Sequence, residues 1–316
     1  MKALKIFLFS LITVFILNGC KEKSDQIKIG VIQYANQPIL DSVYSGLKKE
    51  LAKYDGKYEI EYQVAHGDPI LNTTISKQLV NDSVDIIIAM GTPSAQAVIK
   101  DTKTIPVVFT AITDPVGAKL ATTMNKPEGN KTGITNMQPF DKQIELIKII
   151  KPNTKKVGII INLSEANCVA GMVYVRQALD KFKIPYEELN ASTSAEIITC
   201  AQSLAKRCDV FFVSPSNTIY ENLGAIKKVA EKNNILVVGG DKSAVQKFGA
   251  IGTYTYDFVE MGKNTAELTI KILEQKLNPG DIPVSRPQNS YLYLNLESAK
   301  ALGLTIPDSL KKKAQK

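Results

Sequence analysis

The chain has no tryptophan and a single histidine, His66, in 316 residues. One imidazole and no C-x-x-C pair leave little from which to build a zinc site. There is no G-x-S-x-G elbow, and no serine or cysteine has a histidine near it in sequence, so nucleophilic hydrolysis has no local signature. No G-x-G-x-x-G or Walker A run is present, so no nucleotide cofactor is indicated. Lysine and arginine do not cluster with aromatics, which removes the footprint of a nucleic-acid binder. Lys311-Lys312-Lys313 is a short basic tail that reads as solvated. No apolar run reaches the roughly 20 residues that a membrane-spanning helix needs.

What is present begins at the N-terminus. Lys2 and Lys5 precede an apolar run from Ile6 to Leu17, which is short enough to be a signal-peptide core. Leu17-Asn18-Gly19-Cys20 resembles a bacterial lipobox. Residues 1–19 are therefore expected to be a signal peptide, Cys20 to carry lipid, palmitate included, and 20–26 to form a tether. Acyl chains add roughly 0.8 kcal/mol of membrane affinity per buried CH2, which would hold the protein on a membrane facing the periplasm or cell exterior. The bland alternative is an ordinary secretory signal with an incidental Cys20. Basic residues exceed acidic ones by 39 to 31, a modest surplus that suits a solvated surface. Cys168, Cys200 and Cys208 remain. Cys200 and Cys208 sit along one helical segment, about 12 Å apart at the helical rise, too far for a disulfide. Free thiols are expected, with a bridge from Cys168 left open.

The rest of the chain states one unit twice. Lys28-Ile29-Gly30-Val31-Ile32 is echoed by Lys156-Val157-Gly158-Ile159-Ile160. Asp85 leads into Ile86-Ile87-Ile88 as Asp209 leads into Val210-Phe211-Phe212. Ile105-Pro106-Val107-Val108 returns as Ile235-Leu236-Val237-Val238. Continuous apolar strands between helical segments suit parallel sheets covered on both faces, so two doubly wound α/β lobes are expected. The tail, with a strand at Ala250 to Tyr254 and a helix from Phe258 to Gln275, is too short for a third domain. It is expected to interleave: 27–137 plus about 248–280 as the first lobe, 138–247 plus about 281–316 as the second. Several crossings between lobes make a hinge, and a hinge makes a closing cleft.

Ligands of open α/β sheets bind beyond the carboxyl ends of the strands. The polar segments fall there. Gln33 and Tyr34 end the first strand, and Thr92 and Ser94 open a helix, with Thr92 expected as its N-cap. Ala111, Thr113 and Asp114 end the next strand; Ser164, Glu165 and Asn167, then Asn217 and Thr218, then Asp241 do the same in the second half. Tyr254 and Asp257 follow in the tail. Each segment alone reads as cap or turn chemistry; their shared edge points to a site. Asp114, Glu165, Asp241 and Asp257 are expected to offer an ammonium acceptor, and a helix N-terminus with Thr92 and Ser94 a carboxylate donor. Asn167 and Asn217 are expected to orient the ligand. Both groups together suit an amino acid. Thr193-Ser194-Ala195-Glu196 reads as a purely structural capping box.

The mature chain also resembles the ABC-transporter substrate-binding lipoproteins related to the tryptophan/tyrosine-binding type. Phe109-Thr110-Ala111-Ile112-Thr113-Asp114-Pro115-Val116 carries the likeness most specifically, and Gly91-Thr92-Pro93-Ser94-Ala95-Gln96-Ala97 adds to it. Gln143-Ile144-Glu145-Leu146-Ile147-Lys148, Ser164-Glu165-Ala166-Asn167, Ser216-Asn217-Thr218, Gly240-Asp241 and Asn295 to Leu304 extend it. The resemblance implies a periplasmic-binding-protein type I fold, a small ligand held between lobes, and a permease and ATPase as partners. It also implies aromatic amino acids as ligands in some members. No cofactor is expected, and one cleft per chain needs no partner chain, so a monomer is expected. Cys168 departs from the serine often found there. The competing readings are a ligand-sensing lipoprotein on the same frame and, less well supported, an enzyme.

Overall fold

In the computed structural model, residues 26–315 are described. The expected signal peptide, Cys20 with its expected lipid and all of the expected tether except Gln26 lie outside them. The first half runs β1 (Ile27–Gln33), α1 (Pro38–Leu51), β2 (Tyr58–Val64), α2 (Pro69–Asn81), β3 (Ile86–Met90), α3 (Thr92–Asp101), β4 (Val107–Ile112), β5 (Lys131–Thr135) and α4 (Phe140–Ile150). The second runs β6 (Val157–Ile161), α5 (Ala166–Lys181), β7 (Tyr186–Asn190), α6 (Ser194–Leu204), β8 (Val210–Val213), α7 (Asn217–Glu221), α8 (Leu223–Lys232), β9 (Leu236–Gly239), α9 (Lys242–Gln246), β10 (Gly252–Thr255) and α10 (Phe258–Gln275). A 3-10 turn at Pro279–Asp281, β11 (Tyr291–Leu294), α11 (Leu296–Ala301), α12 (Asp308–Lys311) and β12 (Ala314–Gln315) complete it.

Two sheets form two lobes. The first has the order β2-β1-β3-β4-β5, the second β12-β11-β10-β9-β8-β6-β7. The sequence repeat explains why the orders correspond: β6 to β10 reproduce β1 to β5. Alternation along each strand feeds two cores. Ile86, Ile88 and Met90 face one side of the first sheet, while Ile87 and Ala89 face the other. Val157, Ile159 and Ile161 divide from Ile160 in the same way. The paired aspartates have a structural purpose, since Asp85 accepts from the Lys28 N–H and Asp209 from the N–H groups of Lys155 and Lys156. They anchor the start of equivalent strands.

The lobes are finished by exchange. α4 follows β5 of the first sheet but buries Phe140, Ile144 and Ile147 in the second lobe. α10 follows β10 of the second sheet but buries Phe258, Met261 and Ile270 in the first. Each such side chain removed from water contributes about 1.5–3 kcal/mol. α10 lies on α1 backbone to backbone: a Cβ on Gly46 would stand 2.0 Å from the Val259 carbonyl oxygen, and one on Gly262 1.9 Å from that of Val43.

This exchange corrects the expected lobe boundaries. The strand within 248–256 belongs to the second sheet, because β10 pairs with β9 and β11. Only from Phe258 does the chain enter the first lobe, leaving it after Ser285, which bridges Ile134. An apolar run identifies a strand but not its sheet. Thr92 is also displaced from its expected place: Gly91, at φ 91°, is the N-cap, and Thr92 is the first helical residue. The capping box at Thr193 and Glu196 is present. Cys168, Cys200 and Cys208 are free. No helix among the described residues is long and apolar enough to cross a membrane.

Candidate functional site

The carboxyl ends of both sheets face a shared cavity of about 650 Å³, its open mouth included. The first lobe supplies Gln37, Ile39, Leu40, Gly91, Thr92, Ala111 and Thr113. The crossing after β5 and the start of α4 supply Asn136, Gln138, Phe140 and Gln143. The second lobe supplies Asn167, Val213, Ser214, Pro215, Ser216, Asn217, Tyr220 and Gly240. None of these side chains carries a charge.

Backbone conformation shapes the first-lobe wall. β4 slips register against β5 between Thr110 and Ile112. Ala111, at the slip, adopts φ 57°. An alanine in the left-handed region costs on the order of 1 kcal/mol, and such strain concentrates at functional sites. Thr135 holds the slip closed by donating its hydroxyl to the Ile112 and Thr113 carbonyls. Thr92 stands at the start of α3, where N–H groups lack intrahelical partners.

The second-lobe wall is built around Glu165, which is buried. Its carboxylate accepts from Asn162 Nδ2 (3.2 Å), Asn167 Nδ2 (3.2 Å), Ser216 Oγ (3.1 Å), the Asn217 N–H (2.6 Å), the Thr218 N–H (2.9 Å) and the Thr218 hydroxyl. Glu165 thus joins the β6–α5 loop to the N-terminus of α7, and those donors leave it no lone pair aimed at a ligand. Thr218 is consumed by the same bonds. Ser164 Oγ donates to Asn162 Oδ1 at 2.6 Å and stands outside the cavity.

The other expected ammonium acceptors are caps as well. Asp241 is buried and accepts from the Ala244 N–H and Ser243 Oγ; burial pushes its pKa up while these bonds pull it back. Asp257 accepts from the Val259 and Glu260 N–H groups at the start of α10. Asp114 accepts from the Val116 and Gly117 N–H groups and lines a separate hollow with Leu163 and Val173. All three sit immediately before a turn or helix, where a carboxylate is drawn to free N–H groups.

Of the remaining expected residues, Thr92, Ala111, Thr113, Asn167 and Asn217 line the cavity and the rest do not. Ser94 Oγ donates to Asn72 Oδ1 at 2.7 Å, tying α3 to α2. Gln33 donates to the Ala35 carbonyl and Asp41 and accepts from the Tyr62 hydroxyl, all within the first lobe. Tyr34 donates to the Gly67 carbonyl, and burial, with help from Glu165, Glu221 and Asp68, pushes its pKa up to about 12. Tyr254 stacks under Lys142 and packs on the second core. Cys168 is buried outside the cavity, its thiol pushed up to about 11 by burial, so the serine-to-cysteine departure removes no contact to the cavity.

Sequence reasoning missed Gln37, Asn136, Gln138, Phe140 and Gln143. The first four lie in connections or at their ends and show no periodicity. Gln143 is buried, and its amide donates to the Tyr254 carbonyl at 2.7 Å and Thr253 Oγ1 at 3.1 Å. The only sign of it was a place inside the quoted Gln143-to-Lys148 run.

Three buried side-chain atoms of the described residues lack any hydrogen-bond partner: Asn136 Oδ1, Asn167 Oδ1 and Asn217 Nδ2. All three residues line this cavity. Buried polar atoms are normally paired, at a cost of about 1–3 kcal/mol when they are not. Asn167 is fixed in orientation, because its Nδ2 faces only acceptors, Glu165 and the Pro215 carbonyl. In this arrangement of the amides the cavity presents two free acceptors and one free donor.

Two doubly wound lobes with a neutral polar cleft and three chain crossings define a binding protein of the periplasmic type I fold. The ABC transporter substrate binding protein family matches residues 28–316, and the chain belongs to it. A tyrosine-binding protein of Clostridioides difficile is 32% identical, over 96% of this chain and 92% of its own. A solved Streptococcus pneumoniae domain in complex with L-Trp is 30% identical, with TM-score 0.88 over 92% of this chain and 98% of that one. A ligand-free, open structure of a Clostridium difficile substrate-binding protein with adhesive properties is 31% identical over the same shares, with TM-score 0.70. The family places this chain among binding proteins that take a small molecule for a transporter outside the cytoplasm, not among enzymes.

Proposed function

We propose that the protein is an exported, lipid-anchored receptor that closes on an amino acid and delivers it to an ABC permease and its ATPase. The three unpartnered atoms carry this reading. Asn136 Oδ1 and Asn167 Oδ1 suit an ammonium, Asn217 Nδ2 suits a carboxylate, and α3 adds a helix N-terminus at Thr92. The carboxylate-to-ammonium pairing expected from sequence is replaced by neutral acceptors, so the whole site is uncharged. That favours a zwitterion whose side chain carries no net charge, because an unpaired buried charge is costly. Ile39, Leu40, Phe140, Val213 and Pro215 supply apolar surface for that side chain. Relatives named for tyrosine and bound to L-Trp support an aromatic one.

Hinge closure is supported by the greater likeness to the ligand-bound relative than to the open one at nearly equal identity. A ligand stabilises the closed form only by contacts it lacks in the open form, and a cleft lined from both lobes supplies them. The lipid anchor rests on Leu17-Asn18-Gly19-Cys20; Cys20→Ser should abolish palmitate labelling and release the protein from membranes.

The deciding experiment is thermal melting of protein that has been unfolded and refolded, against amino acids, sugars and purines. A native-state ligand at a hundredfold excess over Kd adds about 2.7 kcal/mol of stability. Tyrosine, phenylalanine or tryptophan should raise the midpoint, while aspartate, lysine and sugars should not. A shift with sugars or purines alone would overturn the amino-acid reading and leave the family membership intact.

A further inference from the structure

Gln37 belongs to the first lobe, just before α1; Asn217 opens α7 in the second. Gln37 Nε2 donates to Asn217 Oδ1 at 3.1 Å, a hydrogen bond across the cleft. On the far side of the same amide, Asn217 Nδ2 is buried and unpartnered against the cavity. The root of Asn217 does not move freely, because its backbone N–H is held by Glu165 at 2.6 Å.

A primary amide carries its donor and its acceptor on one rigid plane, so whatever fixes one end decides what the other end presents. With Gln37 donating, Asn217 must show an N–H to the cavity. Turned over, the same pair still makes one cross-cleft bond, with Asn217 donating to Gln37 Oε1, but then Asn217 shows oxygen to the cavity. Empty, the two arrangements are equal in hydrogen-bond count. A ligand carboxylate accepts from the first and is repelled by the second.

We infer that the Gln37–Asn217 pair is a latch read by the ligand's carboxylate: the carboxylate selects the amide orientation in which Gln37 of the opposite lobe donates, so recognition and lobe closure share one side chain. Gln37 is then a positioning residue that acts through Asn217. This inference rests on the amino-acid reading above.

The test uses full-length protein in detergent, with wild-type affinity for tyrosine, phenylalanine and tryptophan measured first by calorimetry. Gln37→Glu keeps a cross-cleft hydrogen bond but can only accept, so it forces Asn217 to turn its oxygen to the cavity. The expected result is a loss of affinity of about thirtyfold, the scale of one hydrogen bond to a charged group. Gln37→Leu breaks the latch yet leaves Asn217 free to face the ligand, and should lose less, about tenfold or under. The added negative charge also acts through space, so the same Gln37→Glu change is repeated in the Asn217→Ala background. There it should cost severalfold less than in the wild-type background, because only the through-space repulsion is left. Unliganded melting midpoints of Gln37→Leu and Asn217→Ala should stay near the wild type, while Gln37→Glu, which places a charge at a buried position, should melt lower yet remain folded at the temperature of the titration. If Gln37→Glu binds as well as wild type, or costs the same with and without Asn217, the latch is overturned while the amino-acid reading stands. If wild-type protein binds none of the three amino acids, that reading fails and the latch falls with it.

Discussion

At the second lobe's edge, a single buried carboxylate gathers the β6–α5 loop and the start of α7, and Asn162, Asn167, Ser216, Asn217 and Thr218 are each placed by a bond to it. At the first lobe's edge no charged side chain touches the cavity, and the wall is set by Gly91 at φ 91° and by Ala111 at φ 57°. The two edges occupy equivalent places in a repeated fold. Both carry left-handed residues at the end of equivalent strands, since Gly239 at φ 100° and Gly240 at φ 76° close β9, but only the second adds a buried carboxylate. Repetition of the framework has kept the backbone device and added side-chain electrostatics to one edge, so the two edges should fail in different ways.

The largest effect should come from Glu165→Leu. It strands the N–H groups of Asn217 and Thr218 and the amides of Asn162 and Asn167, and a buried network broken on one side costs about 3–5 kcal/mol. Chemical denaturation should show that loss, with a fall in melting midpoint of about 10 °C. A loss under about 1 kcal/mol would mean that the second edge, too, is held by its backbone.

Ala111 offers the opposite test. Ala111→Gly should stabilise the protein by about 1 kcal/mol, because glycine enters the left-handed region without the Cβ clash. Ala111→Val should destabilise it, a β-branched residue being worse there than alanine. If the glycine variant is the less stable, the bulge is not the strained feature that shapes the first wall.

The smallest effect concerns the seam between the edges. Glu221 of α7 sits with its carboxylate near Gly67 of the first lobe, and burial, then Glu165, raises its pKa. A group raised on folding contributes stability that is complete below its unfolded pKa and is lost as pH rises through the folded value. At neutral pH the charged form is therefore a burden. Glu221→Gln should raise the melting midpoint slightly at pH 7, and the difference should disappear below about pH 4.5, where the native carboxyl is neutral. A difference that persists in acid would point to shape rather than charge at this contact.

Much of the architecture was legible, for a physical reason. Parallel strands buried on both faces must be continuous apolar runs, and Val84 to Met90 or Val210 to Val213 can be little else. The helix Phe258 to Gln275 and the cap at Thr193 carry their own signals. What an apolar run lacks is an address, so β10 was expected in the first sheet. The site was half legible. Thr92, Ala111, Thr113, Asn167 and Asn217 do meet at the cavity. The carboxylates were misread because a buried aspartate before a helix serves the helix first. Asn136 and Gln138 escaped notice because their position comes from a chain crossing, a property of the tertiary path and not of local pattern.

The exchange of α4 and α10 bears on how the molecule comes into being. A chain emerging from its N-terminus completes the first sheet at β5, and α1 covers part of its apolar face, yet the stretch over β3, β4 and β5 with Ile88, Val108 and Ile134 waits for α10. That helix is made only after the strands β6 to β10 of the other lobe. Until then the first half carries an uncovered, sticky surface and cannot act alone. Competence should arrive late and all at once, which makes the nascent protein a client for whatever holds unfinished chains apart.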